Sequence, residues 1–260
     1  MTSKLIAEIR GSAGYLVLNA PQRRNALSLD MWQGLPEIVA KFDADPAVRC
    51  IVVTGAGHEA FAAGADISEF EDNRATQDGA KVYDQATHEA TAALAGCAKP
   101  VVAAVRGFCF GGGMALAIAC DLRLAADDAR FCIPAAKLSV GYSLAGTAAL
   151  VARLGPAVAT ELLFTGRTLS AHEALMKGVV HAIAPVADFD NVVKGYVSAL
   201  AANAPLTIKA AKSAIRAVLS GDAAERASAE ADIAACMTSG DYREGRKAFL
   251  EKRKPAFHGR

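Results

Sequence analysis

Hydrophobic positions along the chain alternate between short apolar runs, typical of buried strands, and the wider spacing of amphipathic helices. Strands are predicted at Leu5–Arg10, Gly14–Leu18, Cys50–Thr54, Val101–Val105, Leu122–Ala125 and Ala129–Ile133. Helices are predicted at Ser28–Asp43, Gln77–Ala98, Met114–Cys120, Ala145–Arg153, Ala157–Phe164, Ala171–Lys177, Asp188–Ala202, from Pro205 towards Ser220, Ala223–Met237 and Tyr242–Lys252. This alternation predicts an α/β fold, with Ser28 as the N-cap of the first helix.

The pattern changes near residue 200, where strands stop and lysine-bearing amphipathic helices take over. We therefore predict two parts, an α/β core over residues 1–199 and a helical C-terminal module over residues 200–260.

Composition narrows the function classes. Of the 260 residues 53% are hydrophobic, and 28 basic residues against 27 acidic ones leave a formal net charge of +1. This balance predicts no nucleic-acid partner and no membrane partner. The apolar stretch Val101–Ala119 contains Arg106 and is predicted to be a buried strand, loop and helix, not a membrane span.

The six cysteines form no C-x-x-C pair. They predict buried free thiols in a reducing cytoplasm, without a disulfide framework or a metal site. No secretory signal is expected from the N-terminal residues, which lack a long apolar segment.

Two glycine-rich loops each follow a predicted buried strand, one from Gly55 to Asp66 and one from Gly107 to Gly113. Neither matches the dinucleotide or phosphate-loop pattern. Two interpretations remain open. The small residues allow tight packing of helix on sheet, or they bring backbone N–H groups together as an oxyanion hole.

At this point the residues resemble a known family, the enoyl-CoA hydratase/isomerase (crotonase) superfamily. The resemblance lies in Leu18–Ser28, Phe61–Phe70, Lys99–Gly113 and Asp241–Phe257, which occur in the family order. It implies a crotonase spiral of ββα units, a homotrimer or dimer of trimers, and an acyl-CoA substrate. No separate cofactor is expected, because coenzyme A is part of the substrate.

The resemblance also implies site residues. Ala65 and Gly112 match the two backbone donors of the oxyanion hole, each worth roughly 3–4 kcal/mol to a thioester enolate. The positions matching the coenzyme A path are Arg24, Ala26, Leu27, Ala63, Asp66 and Ile67, and those reaching a neighbouring subunit's coenzyme A are Phe249 and Lys252. Asp66 matches a mainly structural position. Glu69 and Glu71 could enter the acyl pocket, although surface placement is expected.

The chain departs from the hydratase pattern at both catalytic carboxylates. Family hydratases use two glutamates, and this chain has Ala115 and Ala135 at the matching positions. Alanine cannot transfer a proton, so ordinary two-glutamate hydration is not expected.

A different group stands nearby in Leu138–Gly146. Some isomerases and dehalogenases of the family place an aspartate where this chain has Ser143. Methylmalonyl-CoA decarboxylase resembles this segment and has a tyrosine at the position of Tyr142, although it differs from this chain at Ala65 and Ala115. Tyr142 is thus either a hydrogen-bond donor to a substrate carboxylate or an aromatic residue packed over the pocket.

Two rival functions stay open. Gly141–Ala145 approaches the nucleophile elbow of serine hydrolases, with Ser143 as nucleophile and Asp190 and His258 as partners. Alternatively, the missing acid/base pair fits a non-catalytic protein that binds acyl-CoA.

Overall fold

Strands and helices alternate through most of the chain in the computed structural model, which describes residues 2–66 and 77–260. The described strands are β1 Leu5–Arg10, β2 Ala13–Leu18, β3 Cys50–Gly55, β4 Ala60–Ala62, β5 Val101–Val105, β6 Phe108–Phe110, β7 Leu122–Ala126, β8 Arg130–Cys132, β9 Leu169–Ser170 and β10 Ala182–Ala184. The described helices are α1 Leu29–Ala44, α2 Gln77–Gly96, α3 Gly112–Ala119, α4 Leu144–Thr165, α5 Ala171–Met176, α6 Phe189–Ala202, α7 Pro205–Ser220, α8 Ala223–Thr238 and α9 Gly240–Leu250.

The strands form two sheets. The larger has the order β1-β2-β3-β5-β7-β10, and the smaller has the order β4-β6-β8-β9. Only the β1–β2 and β8–β9 pairs are antiparallel among the described strand pairs. From β3 onward, three successive units each place one strand in the large sheet and the next in the small sheet before a helix follows. This repeat is a succession of ββα units, as expected for the crotonase spiral that the resemblance implied.

Strand β3 is buried on both faces, as its continuous apolar sequence predicted. Ile51 and Val53 belong to the main core, which also holds α1, α2 and α3. Cys50 and Val52 point the other way, into a second core closed by Phe189 of α6. The large sheet is therefore covered by helices on both sides, which leaves the ends of its strands to carry loops.

Several sequence predictions need correction. The second glycine loop contains a strand, β6, and the first loop contains β4, because short strands flanked by glycine lack a periodic signal. Helix α2 ends at Gly96 and not at Ala98. Ser28 does occupy the N-cap of α1, yet its side chain makes no capping bond and instead donates to Asp30.

Helix α4 is the one described helix long and apolar enough to cross a membrane by length and composition. Gly155 interrupts it with a non-helical backbone, at φ 76° and ψ 162°. The two halves match the two helices predicted on either side of Gly155-Pro156. Each half is far shorter than the ~20 residues that span a bilayer, which argues against a membrane role for this helix.

Beyond Ala202 the described residues form α7, α8 and α9 and no strand. A partly buried ion pair joins this module to the core: Lys212 Nζ lies 2.7 Å from Asp121 Oδ2 and donates to the carbonyl of Lys99 at 3.1 Å. The boundary at residue 200 stays a prediction.

All six cysteines are free thiols, and five of them are buried. Burial raises the pKa of Cys50 to about 11 and the pKa of Cys120 to about 12, so both remain protonated and unreactive at neutral pH. Among the described residues no cluster of histidine, cysteine and carboxylate side chains could hold a metal ion.

Candidate active site

The first loop leaves β4 and runs beside the N-terminal segment. Leu27 N–H donates to the Gly64 carbonyl at 2.8 Å, and Asp66 N–H donates to the Leu27 carbonyl at 3.0 Å. This pattern is a one-residue parallel bridge between Leu27 and Ala65. In such a bridge the intervening residue directs its own N–H away from the partner strand, so the Ala65 N–H faces away from Leu27.

The second loop ends in the N-terminus of α3. Strand β6 is followed by Gly111, whose φ of 47° is strained for any residue with a side chain. Gly112 is then the first residue of the helix. Its N–H is therefore one of the four for which the helix provides no acceptor carbonyl. The helix dipole adds partial positive charge at this end.

The two loops touch each other at these residues. A Cβ placed on Gly112 would lie 3.7 Å from the backbone nitrogen of Ala65, and one on Gly111 would lie 3.7 Å from the Cα of Gly64. Within the described part of the chain, neither the Ala65 N–H nor the Gly112 N–H donates a hydrogen bond. Two free donors beside each other can bind one oxygen that carries negative charge.

Close packing explains why this arrangement needs small residues. A Cβ on Gly113 would lie 2.5 Å from the carbonyl oxygen of Ala62, closer than real contacts allow. The tight packing of helix on sheet is therefore observed, and the oxyanion hole stays a prediction. Gly113 lets the helix approach β4, and that approach brings the Gly112 N–H beside Ala65.

The two positions where hydratases carry glutamates lie on two different elements. Ala115 is three residues after Gly112 on α3, hence on the same face of that helix, and is partly exposed. Ala135 lies in a 3-10 helix, Pro134–Leu138, and packs against the main core. Neither methyl group can accept or donate a proton.

Tyr142 packs against the main core and over Gly146, where an added Cβ would lie 2.8 Å from Cε1 of the ring. Its hydroxyl has no hydrogen-bond partner among the described residues, and burial raises its pKa to about 12. The phenol is therefore a neutral donor over the whole physiological range.

The serine-hydrolase constellation is not assembled. Ser143 is the N-cap of α4, and its Oγ accepts the Gly146 N–H at 3.1 Å. Asp190 pairs with Arg106 at 2.8 Å, and His258 donates its backbone N–H to Asp241. Among the described residues no hydrogen bond joins Ser143 to Asp190 or His258.

The predicted coenzyme A residues of the core lie around the first loop. Arg24 is exposed, with its Nε 3.2 Å from Glu59 Oε2, and its carbonyl accepts the Ala63 N–H at 2.9 Å. Asp66 is mostly buried and pairs with Arg23 at 2.6 Å, which supports a structural role.

The remaining predicted positions differ in how they are placed. Ala26 is partly exposed, whereas the Leu27 side chain is buried and supports the loop from below. Ile67, Glu69 and Glu71 lie outside the described residues. Phe249 lies in the last turn of α9 and Lys252 follows the helix, and no hydrogen bond of the described residues links either to the two loops.

Asn25 is a site residue that the motifs alone did not single out. It is fully buried with φ 54°. Its amide donates to the carbonyls of Ala56 and Ala60 and accepts the Ala20 N–H at 3.0 Å. Asn25 thereby fastens the N-terminal segment to the start of the first loop. Its neighbours Arg23 and Arg24 are polar as well, so no local pattern marked this residue.

Comparison with known proteins gives one consistent result. The sequence model for enoyl-CoA hydratase/isomerase matches residues 8–260. The chain is 32% identical over 253 residues to the short-chain-enoyl-CoA hydratase of Clostridium acetobutylicum, covering 97% of this chain and 96% of that protein. It is 32% identical over 267 residues to the carnitinyl-CoA dehydratase of Proteus mirabilis, covering all of both.

A solved structure is similar over the whole chain. The crystal structure of an enoyl-CoA hydratase/carnithine racemase from Magnetospirillum magneticum superposes with a TM-score of 0.94 at 36% sequence identity, covering 100% of this chain and 97% of that one.

Proposed function

Because this chain belongs to the enoyl-CoA hydratase/isomerase family, we propose that it binds an acyl-CoA and stabilises the enolate of its thioester with the N–H groups of Ala65 and Gly112. The observation that carries the proposal is the contact between the two loops, which leaves two free donors side by side. A thioester oxygen between them would gain negative charge as the enolate forms. Each donor then stabilises the transition state by roughly 3–4 kcal/mol.

This function can be tested before the natural substrate is known. In 4-dimethylaminocinnamoyl-CoA, light absorption moves electron density onto the thioester oxygen. Donors placed at that oxygen stabilise the excited state more than the ground state. We expect the wild-type protein to shift the absorbance maximum of this compound to longer wavelength, and unlabelled coenzyme A to reverse the shift by competition.

The control is the corresponding cinnamoyl thioester of a simple alkyl thiol, which lacks the nucleotide and should show little shift at equal concentration. Tight binding of the coenzyme A compound without a spectral shift would favour the non-catalytic alternative, an acyl-CoA-binding protein.

Hydration does not follow from this site, although several relatives are named as hydratases or dehydratases. Water addition needs a base for the water and an acid for the α carbon. Ala115 and Ala135 supply neither. The proposal is therefore limited to enolate stabilisation, with the groups above the α and β carbons deciding the reaction.

A specific observation favours decarboxylation as a second candidate: Tyr142 offers a partly buried, neutral phenol without a hydrogen-bond partner among the described residues. In methylmalonyl-CoA, the bond from the α carbon to the carboxylate breaks and its electron pair enters the thioester enolate. Carbon dioxide leaves, and a proton from water then adds to the α carbon to give propionyl-CoA. The protein needs only to hold the carboxylate out of the thioester plane and to stabilise the enolate.

If decarboxylation is the reaction, Tyr142→Phe should lower kcat for methylmalonyl-CoA by about tenfold or more, because the carboxylate is no longer held out of the thioester plane. Coenzyme A affinity should change little. The raised pKa predicts that the wild-type rate does not fall between pH 7 and pH 10, since Tyr142 loses its proton only near pH 12. Carbon dioxide release measures the rate, and Tyr196→Phe on α6 is the matched control. Equal kcat for wild type and Tyr142→Phe would remove this residue from the reaction.

Assembly as a homotrimer or a dimer of trimers is part of the proposal. Large apolar side chains of the C-terminal module are exposed in the single chain, including Val218, Met237, Phe249 and Leu250. Phe249 alone is 83% exposed, which is costly in water unless a neighbouring surface covers it. This supports a subunit interface through which Phe249 and Lys252 reach the coenzyme A of a neighbour. The cytoplasmic location stays a prediction.

A further inference from the structure

A buried pair of aromatic side chains lies beneath the two loops. Trp32 of α1 is 1% exposed and Tyr83 of α2 is 4% exposed. The indole Nε1–H of Trp32 donates to the Tyr83 hydroxyl at 2.8 Å, and the Tyr83 hydroxyl donates to the carbonyl of Leu27 at 3.3 Å. The two rings meet edge to face, with their planes at 76°. Nothing in the reaction proposed above uses either polar group.

The hydrogen bonds lead to the first donor. The Leu27 carbonyl accepts the Tyr83 hydroxyl and also the Asp66 N–H at 3.0 Å, while the Leu27 N–H donates to Gly64. These two backbone bonds lie on either side of Ala65. The direction of the Ala65 N–H is thus set by the position of Leu27, and Tyr83 fixes the carbonyl of Leu27 from the core side.

The same residues support the second donor. A Cβ on Gly112 would lie 3.0 Å from Cζ2 of Trp32 and 3.2 Å from Cδ1 of Leu27. The first turn of α3 therefore rests on the indole ring and on Leu27. Trp32 touches the element that carries one N–H and, through Tyr83, holds the segment that carries the other.

We propose that Trp32 and Tyr83 are positioning residues, which hold the Ala65 and Gly112 N–H groups at the separation and direction that one thioester oxygen requires. This inference rests on the proposed function. A phenylalanine at position 83 would fill nearly the same volume. The hydroxyl of Tyr83 therefore orients Leu27 and contributes little to packing. Donors to a developing oxyanion lose most of their effect when they are displaced by about 1 Å.

Tyr83→Phe tests the proposal with 4-dimethylaminocinnamoyl-CoA as the probe. We expect the bound compound to show less than about half of the wild-type wavelength shift, because the carbonyl of Leu27 is no longer fixed. The dissociation constant should stay within about threefold, since the coenzyme A path is unchanged. A merely structural residue would lower the fraction of folded protein without altering the spectrum of the folded complex.

Two further variants complete the experiment. Tyr196→Phe makes the same chemical change on α6, against the second core, and should keep the full shift. Trp32→Phe removes the indole donor and part of the surface under Gly112 while leaving the Tyr83 hydroxyl in place, so it should lower the shift as well. It also supplies the test if Tyr83→Phe does not fold.

The outcomes separate the two proposals. A full shift in folded Tyr83→Phe, or in Trp32→Phe where Tyr83→Phe does not fold, overturns the positioning role and leaves the oxyanion hole standing. Absence of any shift with the wild-type protein overturns the proposed function and the positioning role together. A lowered shift with unchanged affinity, confined to the variants at positions 32 and 83, supports the positioning role.

Discussion

Replacing Gly112 by proline should lower the turnover of the best acyl-CoA substrate by about 10²–10³, because proline removes one of the two N–H donors to the enolate oxygen. Position 112 suits this test. It is the first residue of α3, where proline is well tolerated, because its missing N–H has no partner within the helix.

The matched control is Gly112→Ala. Both substitutions add a Cβ that would lie 3.0 Å from Trp32 and 3.2 Å from Leu27, so the alanine variant reports the effect of that crowding. Proline adds two further ring carbons, of which Cδ takes the place of the N–H hydrogen. Only alanine keeps the N–H. We expect Gly112→Ala to lose less than about tenfold in kcat, and both variants to bind coenzyme A with similar affinity.

The measurement is kcat and KM on methylmalonyl-CoA, or on the acyl-CoA that the wild type turns over fastest in a wider panel. The wavelength shift of 4-dimethylaminocinnamoyl-CoA is measured in parallel. Equal losses of kcat in Gly112→Pro and Gly112→Ala would show that crowding, and not the N–H, governs the rate. That result would contradict the role assigned to this donor.

The second large effect concerns hydration. The wild-type protein should hydrate crotonyl-CoA very slowly, and the double variant Ala115→Glu with Ala135→Glu should raise that rate by at least about 10². One carboxylate would activate the water at the β carbon, and the other would deliver the proton at the α carbon. Ala115 lies on the same face of α3 as Gly112, and the partly buried Ala135 packs against the main core.

The control is the double variant Ala115→Gln with Ala135→Gln, which has the same size and polarity but cannot transfer a proton. Loss of the enoyl-thioester absorbance gives the rate. The glutamine variant should stay at the wild-type level, and each single glutamate variant should gain much less than the double one. Fast hydration by the wild type would overturn the conclusion that this site lacks an acid and a base.

Much of the fold could be predicted from the sequence. Apolar residues at helical spacing predicted α1, α7 and α8, and runs of β-branched residues predicted β3 and β5. These predictions succeeded because hydrophobic spacing directly reflects which face is buried. The crotonase fold implied by the motifs is confirmed by the similarity to the solved structure over the full chain. The short strands β4 and β6 were missed, because three residues beside glycines are too few to show a hydrophobic periodicity.

The residues of the candidate site also fall into those that the sequence predicted and those that it did not. Motif order pointed to Ala65 and Gly112, and the two alanines at positions 115 and 135 were visible as missing carboxylates. Asn25 and Tyr83 carried no such signal. Their importance comes from hydrogen bonds to residues 31 to 56 positions away, such as Ala56 and Leu27. No local pattern can report a partner at that separation.

The sequence by itself determined the family, the strand and helix alternation, and the chemistry that this site lacks, because these depend on residue types and local spacing. Only the tertiary structure decided that the backbone nitrogen of Ala65 lies close to Gly112, and that Trp32 and Leu27 pack against Gly112. The physical reason is that a backbone donor has no side-chain signature: its direction is set by packing between segments that are distant in the chain.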